Sequence, residues 1–154
     1  MPRHSAGILL YRRRNGGVEV LLVHPGGPFW ARKDDGAWSI PKGEYQAGEE
    51  DALAAARREF QEETGSPAIG AAIPLGAFRQ PSGKIVDAWA VEGDLDPAAL
   101  KSNTFALEWP PRSGQTREVP EVDRAQWFDP EAALRKLLKG QRAILEALLF
   151  RIQA

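Results

Sequence analysis

Two runs rich in Ile, Leu, Val and Tyr open the chain at residues 5–14 and 18–24, with Asn15-Gly16-Gly17 between them. Apolar runs of this length around an Asn-Gly turn predict a β-hairpin. A second pair, residues 68–78 and 84–92, flanks Gln80-Pro81-Ser82-Gly83, another hairpin signal. Between the pairs the period changes. Leu53, Ala56 and Phe60 recur at helical spacing in a segment running from near Gly48 to Gly65. Gly65 suits the left-handed position just past a helix, and Pro67 follows closely. Further along, Asp96 to Leu100 predicts a short helical turn, Thr104 to Trp109 a strand, and Ala125 to Phe128 another. Asp129-Pro130 predicts the start of a helix reaching about Leu138. Ile144, Leu145, Leu148, Leu149 and Ile152 give a last amphipathic helix, which covers the sheet or forms a dimer face. Two stretches, Pro25 to Gly36 and Pro110 to Gly114, hold too much Gly and Pro for regular elements. The first is long, and long loops in compact domains often carry function. Hairpins beside a helix-bearing crossover predict an α/β chain with a mixed sheet packed between helices.

The helix after the first hairpin has an uneven charge distribution. Glu59, Glu62 and Glu63 stand at i, i+3 and i+4, within an arc of about 100° on one face. Like charges at that spacing cost a few tenths of a kcal/mol per pair. No lysine is interleaved, so the face calls for a compensating charge, and a hard divalent cation that prefers oxygen ligands is a natural candidate. A solvated acidic face, with Arg58 pairing to Glu62 at i, i+4, is the alternative reading of these residues alone.

The surroundings of that triplet carry a resemblance. Gly43 to Gly65, GEYQAGEEDALAAARREFQEETG, resembles the Nudix box: Gly, five residues, Glu, seven residues, then Arg-Glu-aliphatic-x-Glu-Glu-x-Gly-aliphatic. Phe60 takes the aliphatic place and Glu50 the first glutamate. Six residues rather than five separate Gly43 from Glu50, and Ser66 replaces the last aliphatic. Moving Glu49 into the place of Glu50 would put Arg58 on a glutamate position, so the extra residue belongs to the Glu44–Glu49 loop. The resemblance implies a Nudix-type α/β/α sandwich with a mixed sheet, as one domain over residues 1–154. It also implies that Glu59, Glu62, Glu63 and the Gly43 carbonyl hold Mg²⁺ or Mn²⁺, with Arg58 orienting the carboxylates and Glu50 as its partner. The implied reaction is attack of water on a diphosphate linkage of a nucleoside diphosphate joined to another group, with Glu62 and Arg58 in the catalytic set. Family members often supply a further glutamate from the second half. Here Glu121 matches by its offset from Trp127-Phe128, with Glu118 in reserve.

Candidate substrate contacts are Lys42 and Arg79 for phosphates and Trp30 for stacking on a base. The lead-in Trp38-Ser39-Ile40-Pro41-Lys42-Gly43 looks more like family members that cleave dinucleoside polyphosphates than like those that sanitise oxidised nucleoside triphosphates. A nucleoside triphosphate pyrophosphatase, or a catalytically silent nucleotide-binding sensor, is the alternative. Composition then narrows the field. A net charge of −1 gives no general attraction for nucleic acid. The absence of cysteine excludes disulfides and thiolate metal sites, and His4 and His24 stand far apart in the chain. No apolar run reaches the length of a signal-peptide core or a membrane helix. The expectation is a cytoplasmic monomer or homodimer acting on a nucleotide-like small molecule.

Overall fold

Strand β1 (His4–Arg14) is central to the sheet. Its residues alternate between the two faces, and both faces are apolar. Ala6, Ile8 and Leu10 pack with Ala55, Ala56 and Phe60 of helix α1 (Ala52–Thr64). Leu9 and Tyr11 pack on the opposite face with Val20, Leu22, Ile144, Leu145 and Leu148. The computed structural model describes residues 2–153.

The remaining elements are β2 (Gly17–Pro25), β3 (Lys42–Tyr45), β4 (Ala72–Arg79), β5 (Ile85–Glu92), β6 (Thr104–Glu108), β7 (Thr116–Pro120), β8 (Val122–Phe128), α2 (Pro130–Lys136) and α3 (Arg142–Arg151). The main sheet runs β4-β5-β1-β2-β8, with β3 also paired to β1. Among the strand pairings of the described residues only β1–β5 is parallel, so the sheet is mixed as expected. With α1 on one face and α2 and α3 on the other, the architecture is the α/β/α sandwich.

On the side away from β5, β1 changes partner. His4 to Gly7 pair with β3, and Tyr11 to Arg14 pair with β2. Backbone bonds from Ile8 to the Pro41 carbonyl (3.1 Å) and from Val23 to the Ser39 carbonyl (2.8 Å) hold the fork. A Cβ on Gly7 would lie 2.8 Å from Lys42 Cβ and 2.9 Å from the Pro41 carbonyl oxygen, so glycine lets the incoming chain cross closely there.

Several boundaries differ from the sequence expectation. Helix α1 starts at Ala52, later than Gly48, because Asp51 caps it: its Oδ2 accepts from Ala54 N at 3.0 Å. The helix stops at Gly65, at φ 81°, as expected. Strand β4 starts at Ala72 instead of 68. Arg57 draws off the carbonyls of Ala68 (2.6 Å) and Gly70 (2.9 Å) and keeps that stretch irregular. Trp38 and Ser39 form only isolated bridges, and the regular strand begins at Lys42. Strand β7 was not expected, because Thr116-Arg117-Glu118 shows no apolar alternation; it pairs with β6 in a separate two-stranded sheet. No helix among the described residues is long and apolar enough to cross a membrane.

Candidate functional site

Arg58 organises the acidic face of α1. Its Nε and Nη2 each donate to Glu50 at 3.0 Å, a bidentate pairing, and its Nη1 donates to Glu59 (2.7 Å) and Glu62 (3.0 Å). The residue inserted before Glu50 is absorbed in the loop, where the amides of Glu49 and Glu50 both donate to the Gln46 carbonyl. Glu50 therefore reaches Arg58 despite the altered spacing.

Glu59 is nearly buried against the backbone of Gly43, and a Cβ at Gly43 would collide with its carboxylate. Glu63, half-buried, accepts from the Lys42 amide at 3.3 Å. Glu63 lines a cavity of about 180 Å³ together with Trp30, Ser39, Lys42 and Glu121. That cavity lies at the fork where β2 and β3 diverge. Glu121, just past β7, is fixed through its backbone: its carbonyl accepts from Gly26 (3.0 Å) and its amide donates to Asn103 (2.9 Å).

Glu59, Glu62, Glu63 and Glu121 lie close enough to repel one another. Burial pushes the Glu63 carboxyl up to about 8, with Lys42 opposing the shift and Glu121 adding to it. Burial and then Glu62 raise both Glu59 and Glu121. Burial also lowers the Lys42 ammonium, against the pull of Glu63. The donor set is all oxygen, partly buried and short of positive charge, which fits a hard divalent cation. Among the described residues no three such side chains already converge on an ion position, and Arg58 occupies oxygens of Glu59 and Glu62.

The structure brings Trp30, Lys42, Glu63 and Glu121 together at one cavity and sets Arg58, Glu59, Glu62 and Gly43 beside it. Glu118, the reserve, is exposed on β7. Arg79 does not join this cavity. It stands at the end of β4 and lines a separate hollow with Arg3 and Lys84, because β4 is the far edge of the sheet. Two supporting residues left no sequence signal. Buried Gln141 accepts from the Ile40 amide (2.9 Å) and donates to Ser39 Oγ (2.9 Å), fixing the lead-in to Lys42. Buried His24 donates through Nε2 to the Lys33 carbonyl (2.6 Å), with Nδ1 2.8 Å from Asp123. It thereby ties the loop carrying Trp30 to the strand that follows Glu121.

The family model of the NUDIX domain matches residues 1–148, and the chain belongs to that family. It is 33% identical to the 8-oxo-(d)GTP phosphatase of Mycolicibacterium smegmatis (strain ATCC 700084 / mc(2)155), over 88% of this chain. The chain spans 41% of that relative's length. Among solved structures it is similar to the C. elegans Ap4A hydrolase in a binary complex, with TM-score 0.65, 20% identity and coverage of 96% of this chain and 97% of that one. It is also similar to the NUDIX domain of Shewanella oneidensis NrtR complexed with ADP ribose, with TM-score 0.67, 14% identity and coverage of 99% and 90%. At these identities the two structures bear on the fold alone.

Proposed function

We propose that this chain is a metal-dependent hydrolase that cleaves a diphosphate linkage in a nucleoside diphosphate joined to a second group, with dinucleoside polyphosphates preferred. The observation that carries this reading is the gathering of Glu59, Glu62, Glu63 and Glu121 beside a cavity that also presents Lys42 and Trp30.

Glu59, Glu62, Glu63 and the Gly43 carbonyl would hold Mg²⁺ or Mn²⁺. When bound, the cation polarises a phosphoryl oxygen and offsets charge on the leaving phosphate. Arg58 ties the carboxylates of Glu59 and Glu62 together, and Glu50 fixes Arg58 in turn. Glu121 accepts the proton of the attacking water; its raised carboxyl makes it a stronger base than an ordinary glutamate. Lys42 contacts a phosphate oxygen, and Trp30 stacks on the base at the cavity mouth.

The names of the similar proteins support a nucleotide phosphate substrate: one is an 8-oxo-(d)GTP phosphatase, one an Ap4A hydrolase, one bound to ADP ribose. The lead-in to Lys42 favours dinucleoside polyphosphates, whereas the M. smegmatis relative favours a nucleoside triphosphate. We place this activity in the cytoplasm.

The test is turnover of dinucleoside polyphosphates, nucleoside triphosphates, nucleotide sugars and triphosphorylated RNA with Mg²⁺ or Mn²⁺, against Glu62→Gln. Cleavage of one small-nucleotide class, lost in the variant, supports the reading and identifies the scissile bond from the products. Nucleotide binding with no turnover would make the chain a sensor.

A further inference from the structure

Positive charge is gathered at one end of the sheet, outside the carboxylate cavity. Arg3, just before β1, Arg79 at the end of β4 and Lys84 just before β5 line an open hollow of about 660 Å³ with Ser82 and Gly83. Among the described residues one carboxylate faces this group: Glu44 lies 3.0 Å from Lys84 Nζ and 3.9 Å from Arg3 Nη1. Arg79 meets only the Gly83 carbonyl, at 3.4 Å, among the described residues. Three cations against one anion is a local excess in a chain whose net charge is −1.

The hollow is also tied to the cavity. Glu44 and Lys42 share strand β3, and Lys84 is near enough to repel the Lys42 ammonium. A single connector fixes the spacing. Gln80, in the turn that carries Lys84, donates to the Gly140 carbonyl at 3.0 Å. The next residue, Gln141, holds the Ile40 amide just ahead of Lys42. The two cationic positions are thus set from one short piece of backbone, and the charge runs from Lys42 through Lys84 to Arg79 and Arg3.

We propose that the hollow lined by Arg3, Arg79 and Lys84 is a second anion subsite, which receives the distal phosphates of a substrate whose reacting phosphate lies at the carboxylate cavity. The inference rests on the hydrolase reading and deepens it: the substrate carries an extended phosphate chain, as a dinucleoside tetraphosphate does and a nucleotide sugar does not. A compact diphosphate leaves the hollow empty. A longer chain spans from Lys42 to Arg79.

The experiment compares the wild type with the double variant Arg79→Gln/Lys84→Gln. A second double variant, Arg14→Gln/Arg151→Gln, makes the same charge change elsewhere on the exposed surface. The KM for a dinucleoside tetraphosphate should rise by about tenfold in the first variant, as expected for two solvent-screened charge contacts. For a nucleotide sugar the rise should be several times smaller, and the charge control should track the wild type. Calorimetric titration of inorganic tetrapolyphosphate reads the hollow without turnover, and its affinity should fall by a similar factor in the first variant alone. Equal losses for both substrates, or equal losses in both variants, would overturn the subsite. So would a single-stranded RNA that displaces tetrapolyphosphate and binds more tightly than it. If no substrate is cleaved yet tetrapolyphosphate binding depends on Arg79 and Lys84, the hydrolase reading fails while the anion site stands.

Discussion

The acidic cluster has two halves that the protein treats differently. Glu50, Glu59 and Glu62 share one arginine, with four hydrogen bonds of 2.7–3.0 Å. Glu63 and Glu121 face the cavity without an arginine; burial raises both carboxyls, as it raises that of Glu59, and only the Lys42 ammonium, itself lowered by burial, opposes the charge of Glu63. The compensated half is an oriented scaffold. The uncompensated half is where charge is missing, and under the proposed function an external cation and the attacking water supply what is missing. Burial of carboxylates in excess of their counter-charges is costly, and such arrangements cluster at functional sites.

This contrast can be tested by breaking each half in turn. Glu62→Gln keeps the side chain's shape and removes its charge from the proposed ion site. Loss of several kcal/mol of transition-state stabilisation lowers kcat by about a thousandfold, while the melting temperature stays near that of the wild type; steady-state kinetics and a thermal melt check both. Gly43→Ala forces the Glu59 carboxylate away from the backbone it abuts. A misplaced group of this kind costs about a hundredfold in kcat, and a rise in the Mg²⁺ concentration needed for half-maximal rate should accompany it.

Stability provides the sharper comparison. The Glu63 carboxyl sits near 8 in the fold against 4.5 when unperturbed, so between those values the folded chain holds more protons than the unfolded one. The contribution of Glu63 to the stability of the metal-free protein therefore falls by several kcal/mol as pH rises from about 4.5 to about 8. Urea melts in chelator should show that slope, and Glu63→Gln should flatten it. Arg58→Ala, in the compensated half, leaves three carboxylates without their cation. Its cost in chelator is smaller, about 1 kcal/mol, and added Mg²⁺ should recover most of it. If Mg²⁺ stabilises the wild type and Arg58→Ala equally, Arg58 is not compensating the same charge as the ion.

The acidic half of this site could be read in the sequence because it lies on one helix, where spacing fixes the face. The pairing of Glu50 with Arg58 was also legible once the extra residue was assigned to the loop. Glu121 is legible only through the family resemblance, since only the fold brings the end of β7 to the cavity. Arg79 shows the limit: its charge suggested a phosphate contact, but nothing in the local sequence says that β4 is the sheet's far edge. Gln141 and His24 were invisible for a related reason. Their partners are Ile40 and Ser39 for one, and Asp123 and Lys33 for the other. Long-range hydrogen bonds by buried polar groups leave no period to detect.

The segments around the cavity mouth are built apart from the frame. The loop from Gly26 to Gly36 lies outside the named strands, and the β6–β7 hairpin forms its own two-stranded sheet. Neither takes part in the β1 registers that set the position of α1 and β3. Exchanges at the loop's Trp30 can therefore change what the cavity mouth accepts while the acidic helix stays in place, whereas the hairpin, which ends at Glu121, is bound to the chemistry as well.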